Sequence, residues 1–300
     1  LLLLFGLGFL AISPLLAPGY FYNAHDGRHS VFYLNMFDAS IRDGALWPRW
    51  AMHHIQGYGY PTFIIQAPLG FYLAELFVLL GAGYTTAVKW AWAVGFLMSG
   101  WGMYRLVLHW LEGYEALKSD RGSTDPHRLA SVVAALLYIY LPYHLTSIYV
   151  RGAINDTTLL AWYPWVILAF DRLIIYGNEP GWQRRLAIAL LSLGGTLLTH
   201  TFALISFAPF LVTFVLFRLV VRVFQDQEKT AFLWQRLWSN ILLTGSAGIG
   251  ALLLCANFLL PLLIEGQHLE QQVYVTDTYD FRNHFVYWGQ FFNPFWGYGF

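Results

Sequence analysis

Apolar stretches of about twenty residues, the length needed to cross a hydrocarbon layer as a helix, recur along nearly the whole chain. They fall at 1–18, 62–82, 86–110, 129–148, 157–176, 185–200, 202–222 and 238–264. Lipid offers no partner to backbone N–H and C=O groups, so runs of this kind are helices rather than open strands. Composition agrees. Only 11% of the residues are charged, against about 25% in an average soluble domain, and 19% are aromatic, enough to furnish interfacial belts. The expected fold class is all-α, a polytopic protein of the inner cell membrane. Leu1 to Pro18 shows no basic n-region or small-residue cleavage site and reads as most of a first transmembrane helix.

Residues 1–264 read as one multi-spanning module with an outer loop at 19–61 and an exposed loop at 111–128. Residues 265–300 open a second outer loop, and the chain reads as part of a longer protein. The positive-inside rule orients the spans. Arg172, Arg184 and Arg185 mark one cytoplasmic connection, and Arg218, Arg222, Lys229 and Arg236 mark another. Counting back from them puts 149–156 outside and the Lys118–Arg128 loop inside. Counting forward from a cytoplasmic N-terminus puts 19–61 outside, and the two counts differ by one crossing. Either 62–82, with Pro61 and Pro68, or the short 185–200 is then not a simple span.

Polar residues that interrupt such a chain are costly unless they serve a wet site. Four ionisable residues crowd into His25-Asp26-Gly27-Arg28-His29, directly after the first apolar run. The alternative is an ordinary solvated loop. From Ser30 to Arg42 the apolar residues Val31, Leu34, Phe37 and Ile41 share one helical face, as in a helix lying in the interface plane, with Asn35, Asp38 and Arg42 elsewhere on its surface. A second cluster, 143–156, holds His144, Arg151, Asn155 and Asp156; Asp156 could equally cap the next helix. His200 ends another apolar run, either as a structural imidazole or facing an outer cavity. His25, His29, His53 and His54 leave room for a divalent metal, but no two-histidine helical pair joined to a carboxylate completes one. Zero net charge gives no basis for nucleic acid as a partner. The lone Cys255 excludes an internal disulfide and reads as a small core residue.

The order of short motifs is informative. An early Asp after the first apolar helix is followed by a juxtamembrane helix, then Gly44-Ala45-Leu46-Trp47-Pro48-Arg49-Trp50 and Gly57-Tyr58-Gly59-Tyr60-Pro61. Further along stand Tyr143-His144, Tyr149-Val150-Arg151-Gly152-Ala153, Leu198-Thr199-His200 and Asn293-Pro294-Phe295-Trp296-Gly297-Tyr298-Gly299. With these the chain resembles the GT-C superfamily of membrane glycosyltransferases over nearly its whole length. It is similar, more closely, to bacterial membrane proteins labelled 6-pyruvoyl-tetrahydropterin synthase-related, a label that misleads about chemistry. The resemblance implies a GT-C-like helical bundle and an inverting, single-displacement transfer of sugar from a polyprenyl-phosphate donor to an acceptor at the outer face. It implies Asp26 as general base or acceptor organiser. Such a transfer needs a carboxylate for the acceptor proton and fixed positive charge for the departing phosphate, which arginine meets bidentately. Arg49 and Arg151 are the expected phosphate holders, with Arg28, His25, His144, Asp156 and His200 around the substrate. Both arginines could instead snorkel to lipid headgroups. Where the resemblance implies Glu near the second cluster, this chain has Asn155-Asp156. The absence of a phosphate-cradling Gly–Lys loop, a dinucleotide fingerprint or a serine elbow suits a donor carried on lipid. The competing reading is a non-catalytic transporter or scaffold for lipid-linked glycan. Glu75 is the exceptional charge within an apolar run, and no clear internal repeat supports transport.

Overall fold

The computed structural model describes residues 2–19, 24–118, 125–225 and 230–269, with Asp280, Arg282, Phe285 and Trp288 beyond them. Its helices are α1 (Leu2–Ile12), α2 (Gly27–Arg42), α3 (Thr62–Ile65), α4 (Leu69–Leu79), α5 (Tyr84–Lys118), α6 (Asp125–Ile139) and α7 (Pro142–Thr146). These are followed by α8 (Ile154–Tyr176), α9 (Trp182–Thr199), α10 (Ala203–Ser206), α11 (Ala208–Gln225), α12 (Thr230–Leu254) and α13 (Ala256–Glu265). The described residues include no strand, apart from an isolated antiparallel bridge between Ala51 and Tyr60. The all-α expectation holds.

Among the described residues, three stretches are long and apolar enough to cross a membrane: Ile154–Tyr176, Ala203–Phe224 and Trp234–Leu254. The pair Pro126–Ile139 and Pro142–Arg151, bent by 45°, passes the same test together. The bend follows from Pro142, which forces Leu141 out of helical geometry. Within the first of these stretches, α8, 61% of the most apolar window is buried, against 17% and 22% in the other two. α8 is therefore the central post, and the other two present their apolar sides outward. Small residues let neighbours close on it. A Cβ on Gly102 of α5 would meet the Trp165 indole at 2.7 Å, and one on Gly195 of α9 would meet Trp162 at 2.6 Å.

Side-chain contacts fix the directions of these helices. His200, after α9, meets Asp156 at one end of α8, and Arg185 at the start of α9 bonds the Tyr176 carbonyl at the other. The two helices thus run antiparallel over their full lengths, although α9 is too polar at its first turn to pass as apolar. α5 runs parallel to α8: Gly95 touches Thr158 near one end, while His109 and Trp110 reach Asp171 near the other.

Of the two runs suspected of not being simple spans, 62–82 is the divided one; other expectations need correction. Gln66, Ala67 and Pro68 separate α3 from α4, and α4, at 11 residues, is only about 16 Å long. Its start lies beside Asn155 and Thr158, and its end leads into Tyr84, whose hydroxyl donates to Asp38 of α2. Both ends therefore lie at the same end of the bundle. The 111–128 loop is mostly helix: α5 continues to Lys118 and α6 begins at Asp125, with 119–124 outside the described residues. The 238–264 run divides at Cys255 into α12 and α13. Of the second outer loop only the turn Gly266–His268 and a few later residues are described; the Asn293–Gly299 motif lies outside them. α2 forms where helical spacing placed it, with Leu34 and Phe37 fully buried against Phe63, Phe71 and Tyr72. Asp38, however, is buried rather than on the surface. Burial pushes its carboxyl up, but hydrogen bonds from Arg42 (2.7 Å) and Tyr84 (2.7 Å) outweigh that and hold it below the ordinary carboxylate range.

Candidate functional site

The site begins with a backbone seam between two segments far apart in the chain. His25 N–H donates to the Val150 carbonyl (2.9 Å) and Asp26 N–H to the Arg151 carbonyl (2.6 Å). Ser30 Oγ then donates to the Gly152 carbonyl (2.8 Å) and accepts from Ile154 N–H (3.2 Å). Approach this close requires Gly152. It sits at φ +68°, and an added Cβ would meet Ala24 Cβ and Gly27 Cα at 3.0 Å. The preceding residues Ser147–Arg151 form a π-helical turn, a geometry found often at functional sites.

The seam brings side chains together. Arg151 reaches Asp26 through Nε (3.4 Å) and Asp156 through Nη1 (2.9 Å). His200 donates from Nε2 to the second oxygen of Asp156 (3.1 Å). The Nδ1 atom of His200 accepts from the Phe202 N–H (3.0 Å), so that bond places the ring proton on Nε2. Asp26 occupies the N-cap position of α2 without a side-chain cap bond, which leaves its carboxylate for Arg151, His25 (3.1 Å) and His29 (3.7 Å). Asp156 is not the N-cap of α8; Ala153 is. As an acid in the first turn it favours the positive end of the helix dipole, while both its oxygens face Arg151 and His200.

These groups border a cavity of about 170 Å³ whose wall also includes Tyr33, Gln66, Phe71 and Asn155. Asn155 donates to the Gln66 side chain (3.3 Å) and the Ala67 carbonyl (3.2 Å), while its buried Oδ1 has no hydrogen-bond partner. A buried acceptor left unpaired costs free energy until something donates to it. Six structural pieces meet here: α2, the α3–α4 link, α4, the π-turn, the first turn of α8, and the end of α9. The space is smaller than the roughly 300 Å³ or more of sites for drug-sized ligands.

Among the expected site residues, Asp26, Arg151, Asp156 and His200 converge, and His25 touches Asp26 from the exposed side. The others do not join them. Arg49 donates to Asn257 of α13 (3.1 Å) and is not part of the cavity wall, so its expected pairing with Arg151 fails. Arg28 is exposed on α2 and is likewise absent from the wall. His144 is a core residue packed between the Phe96 and Tyr138 rings, with Nδ1 bonded to the Tyr138 carbonyl. His54 bonds Thr62 and is surrounded by Phe32, Tyr33 and Tyr60. Among the described residues no three His, Cys, Asp or Glu side chains are grouped to hold a metal ion. Gln66, Tyr33 and Phe71 escaped sequence reasoning because an amide between spans and two aromatics on apolar helices carry no local signal. His29 and Asn155 stood inside the noted clusters without a role in the wall.

The described residues define an all-helical fold with three to four helices long and apolar enough to cross a membrane and a small pocket lined by carboxylates, a guanidinium and imidazoles at one end of its central helix. No family model, curated protein or solved structure matches the chain.

Proposed function

We propose that the chain belongs to a GT-C-type membrane glycosyltransferase, moving a sugar from a polyprenyl-phosphate donor onto an acceptor hydroxyl at the outer face. The observation that carries this reading is the convergence of Asp26, Arg151, Asp156 and His200 on one partly open cavity. Asp26 is the base: it is free of capping duty, partly exposed, and stands on the cavity wall. Arg151 uses Nε and Nη1 on carboxylates, which leaves its Nη2 donors for the departing phosphate. Asp156, held in turn by His200, fixes the guanidinium as a second carboxylate does in many preorganised sites. Two carboxylates against one guanidinium leave a net negative pocket, so the acceptor ring is its occupant and the phosphate lies at its mouth.

Topology supports the outer placement. With 62–82 removed from the crossings, the parity conflict disappears. The connections after α5, α8 and α11, which carry the arginine-rich sequences, then share the cytoplasmic face, and 24–82 lies opposite with the pocket. The test uses membranes containing the full-length protein, incubated with radiolabelled polyprenyl-phosphate sugars. Asp26→Asn is expected to lower transfer by about 10²- to 10⁴-fold, the range of a lost general base. Transfer by Asp26→Asn at the wild-type rate would remove the assignment.

A further inference from the structure

At the other end of α8 from the pocket, two cavities adjoin. One, of about 720 Å³, is bordered by Arg105, Arg128 and Arg172. The other, of about 600 Å³, shares Arg105 and Arg172 and adds Arg184 and Arg185. The five guanidiniums come from α5, α6, α8 and α9, so only the packed bundle assembles them. Arg105, Arg128, Arg172 and Arg184 have no hydrogen bond or ion pair among the described residues. The acids bordering the space do little to neutralise it. Glu112 reaches none of these arginines at ion-pair distance, and Glu179 lies 3.9 Å from Arg185. The buried Asp171, next to Arg172 in sequence, is already occupied by Arg218, His109 and Trp110. Like charges gathered around one space repel one another until an anion enters it.

The rim says which kind of anion. Leu3 of α1, Trp101 of α5 and Leu129 of α6 border the first cavity and are exposed, as is Ile188 of α9 beside the second. A cationic floor with an open apolar rim matches a phosphate carried on acyl chains. Basic pockets between membrane helices on the cytoplasmic side bind such headgroups. We propose that the joined cavity holds the headgroup of an anionic phospholipid, its phosphate between Arg105 and Arg172 and its chains leaving over Leu3 and Leu129. The inference rests on the membrane topology above but not on sugar transfer. The ends of α8 that carry the two sites, Asp156 and Arg172, are about 24 Å apart along the helix.

The test is native mass spectrometry of the full-length protein, delipidated in neutral detergent and offered phosphatidylglycerol or phosphatidylcholine. Each guanidinium near a surface phosphate contributes roughly fivefold, so the pair should favour phosphatidylglycerol about twenty-five-fold. Arg105→Gln with Arg172→Gln should remove that preference, and Arg236→Gln, a basic residue outside both cavities, should keep it. Equal binding of the two lipids by wild type, or a preference surviving the double change, would overturn the proposal. Inorganic phosphate competing as well as phosphatidylglycerol would overturn the lipid assignment in favour of a free-anion site. If the double variant does not fold, Arg105→Gln alone should lower the preference about fivefold; an unchanged preference counts against the site. A protein that stays soluble without detergent would instead defeat the topology beneath both readings.

Discussion

α8 carries an ionic cluster near each end, and the two are built in opposite ways. Near Ile154 a single arginine lies between two carboxylates, Asp26 and Asp156, in a cavity open to solvent. Near Tyr176 a single carboxylate, Asp171, is fully buried and takes bonds from Arg218, His109 and the Trp110 indole. Asp171 joins α5, α8 and α11 with its oxygens satisfied and faces no ligand space of its own. The Arg151 cluster retains exposure, spare donors and an unpaired amide oxygen nearby. A network centred on a fully buried, satisfied carboxylate specifies packing, whereas a partly open one is equipped to meet a ligand. The contrast separates a structural ion cluster from a site, although both contain an Asp, an Arg and a His.

Removing the carboxylates should expose the difference most strongly. Asp171→Ala removes a fully buried carboxylate from buried His109 and partly exposed Arg218 and is expected to cost about 3–4 kcal/mol. Asp156→Ala, beside a half-exposed Arg151, should cost less, about 1–3 kcal/mol. Denaturant unfolding in detergent measures both, and equal losses would break the comparison. A smaller effect is expected at the seam. Gly152→Ala forces a left-handed backbone on an L side chain and should cost about 1–2 kcal/mol, with transfer falling as Asp26 and Arg151 separate. An unchanged stability would mean that the two segments do not approach as closely as described.

The smallest effect is a pH response in the outer segment. Burial, and then the nearby His29, push the His54 imidazole below its ordinary value of 6.5. A depressed histidine is neutral in the fold, so its contribution is present above 6.5 and is lost as pH falls through the lower folded value. Acidification should therefore loosen the 43–61 segment, and His54→Gln should flatten that dependence. Hydrogen exchange at mildly acid pH reads it directly; a slope unchanged by His54→Gln would assign the response to another group.

The helical class and the approximate position of most helices could be read from the order of residues, because apolar runs and their interruptions are local properties. So could the clusters around Asp26 and Arg151, since ionisable residues packed beside apolar helices stand out in composition. Which members of a cluster face the same space could not. Arg49 and His144 looked equivalent to Arg151 and His200 in spacing and flanking residues, yet one bonds Asn257 and the other packs between two rings. Pro61 and Pro68 marked the run 62–82 as interrupted, without revealing where the chain goes next.

The sequence by itself therefore determined an all-helical chain rich in membrane-length apolar segments, with charge kept near their ends, because hydrophobicity and helical period act within about twenty residues. Tertiary structure alone decided that residues 26, 151, 156 and 200 share one cavity, and that arginines from four helices share another. Those meetings depend on helix direction, on glycine contacts and on the bend at Pro142. None of these has a signature within the segments that they join.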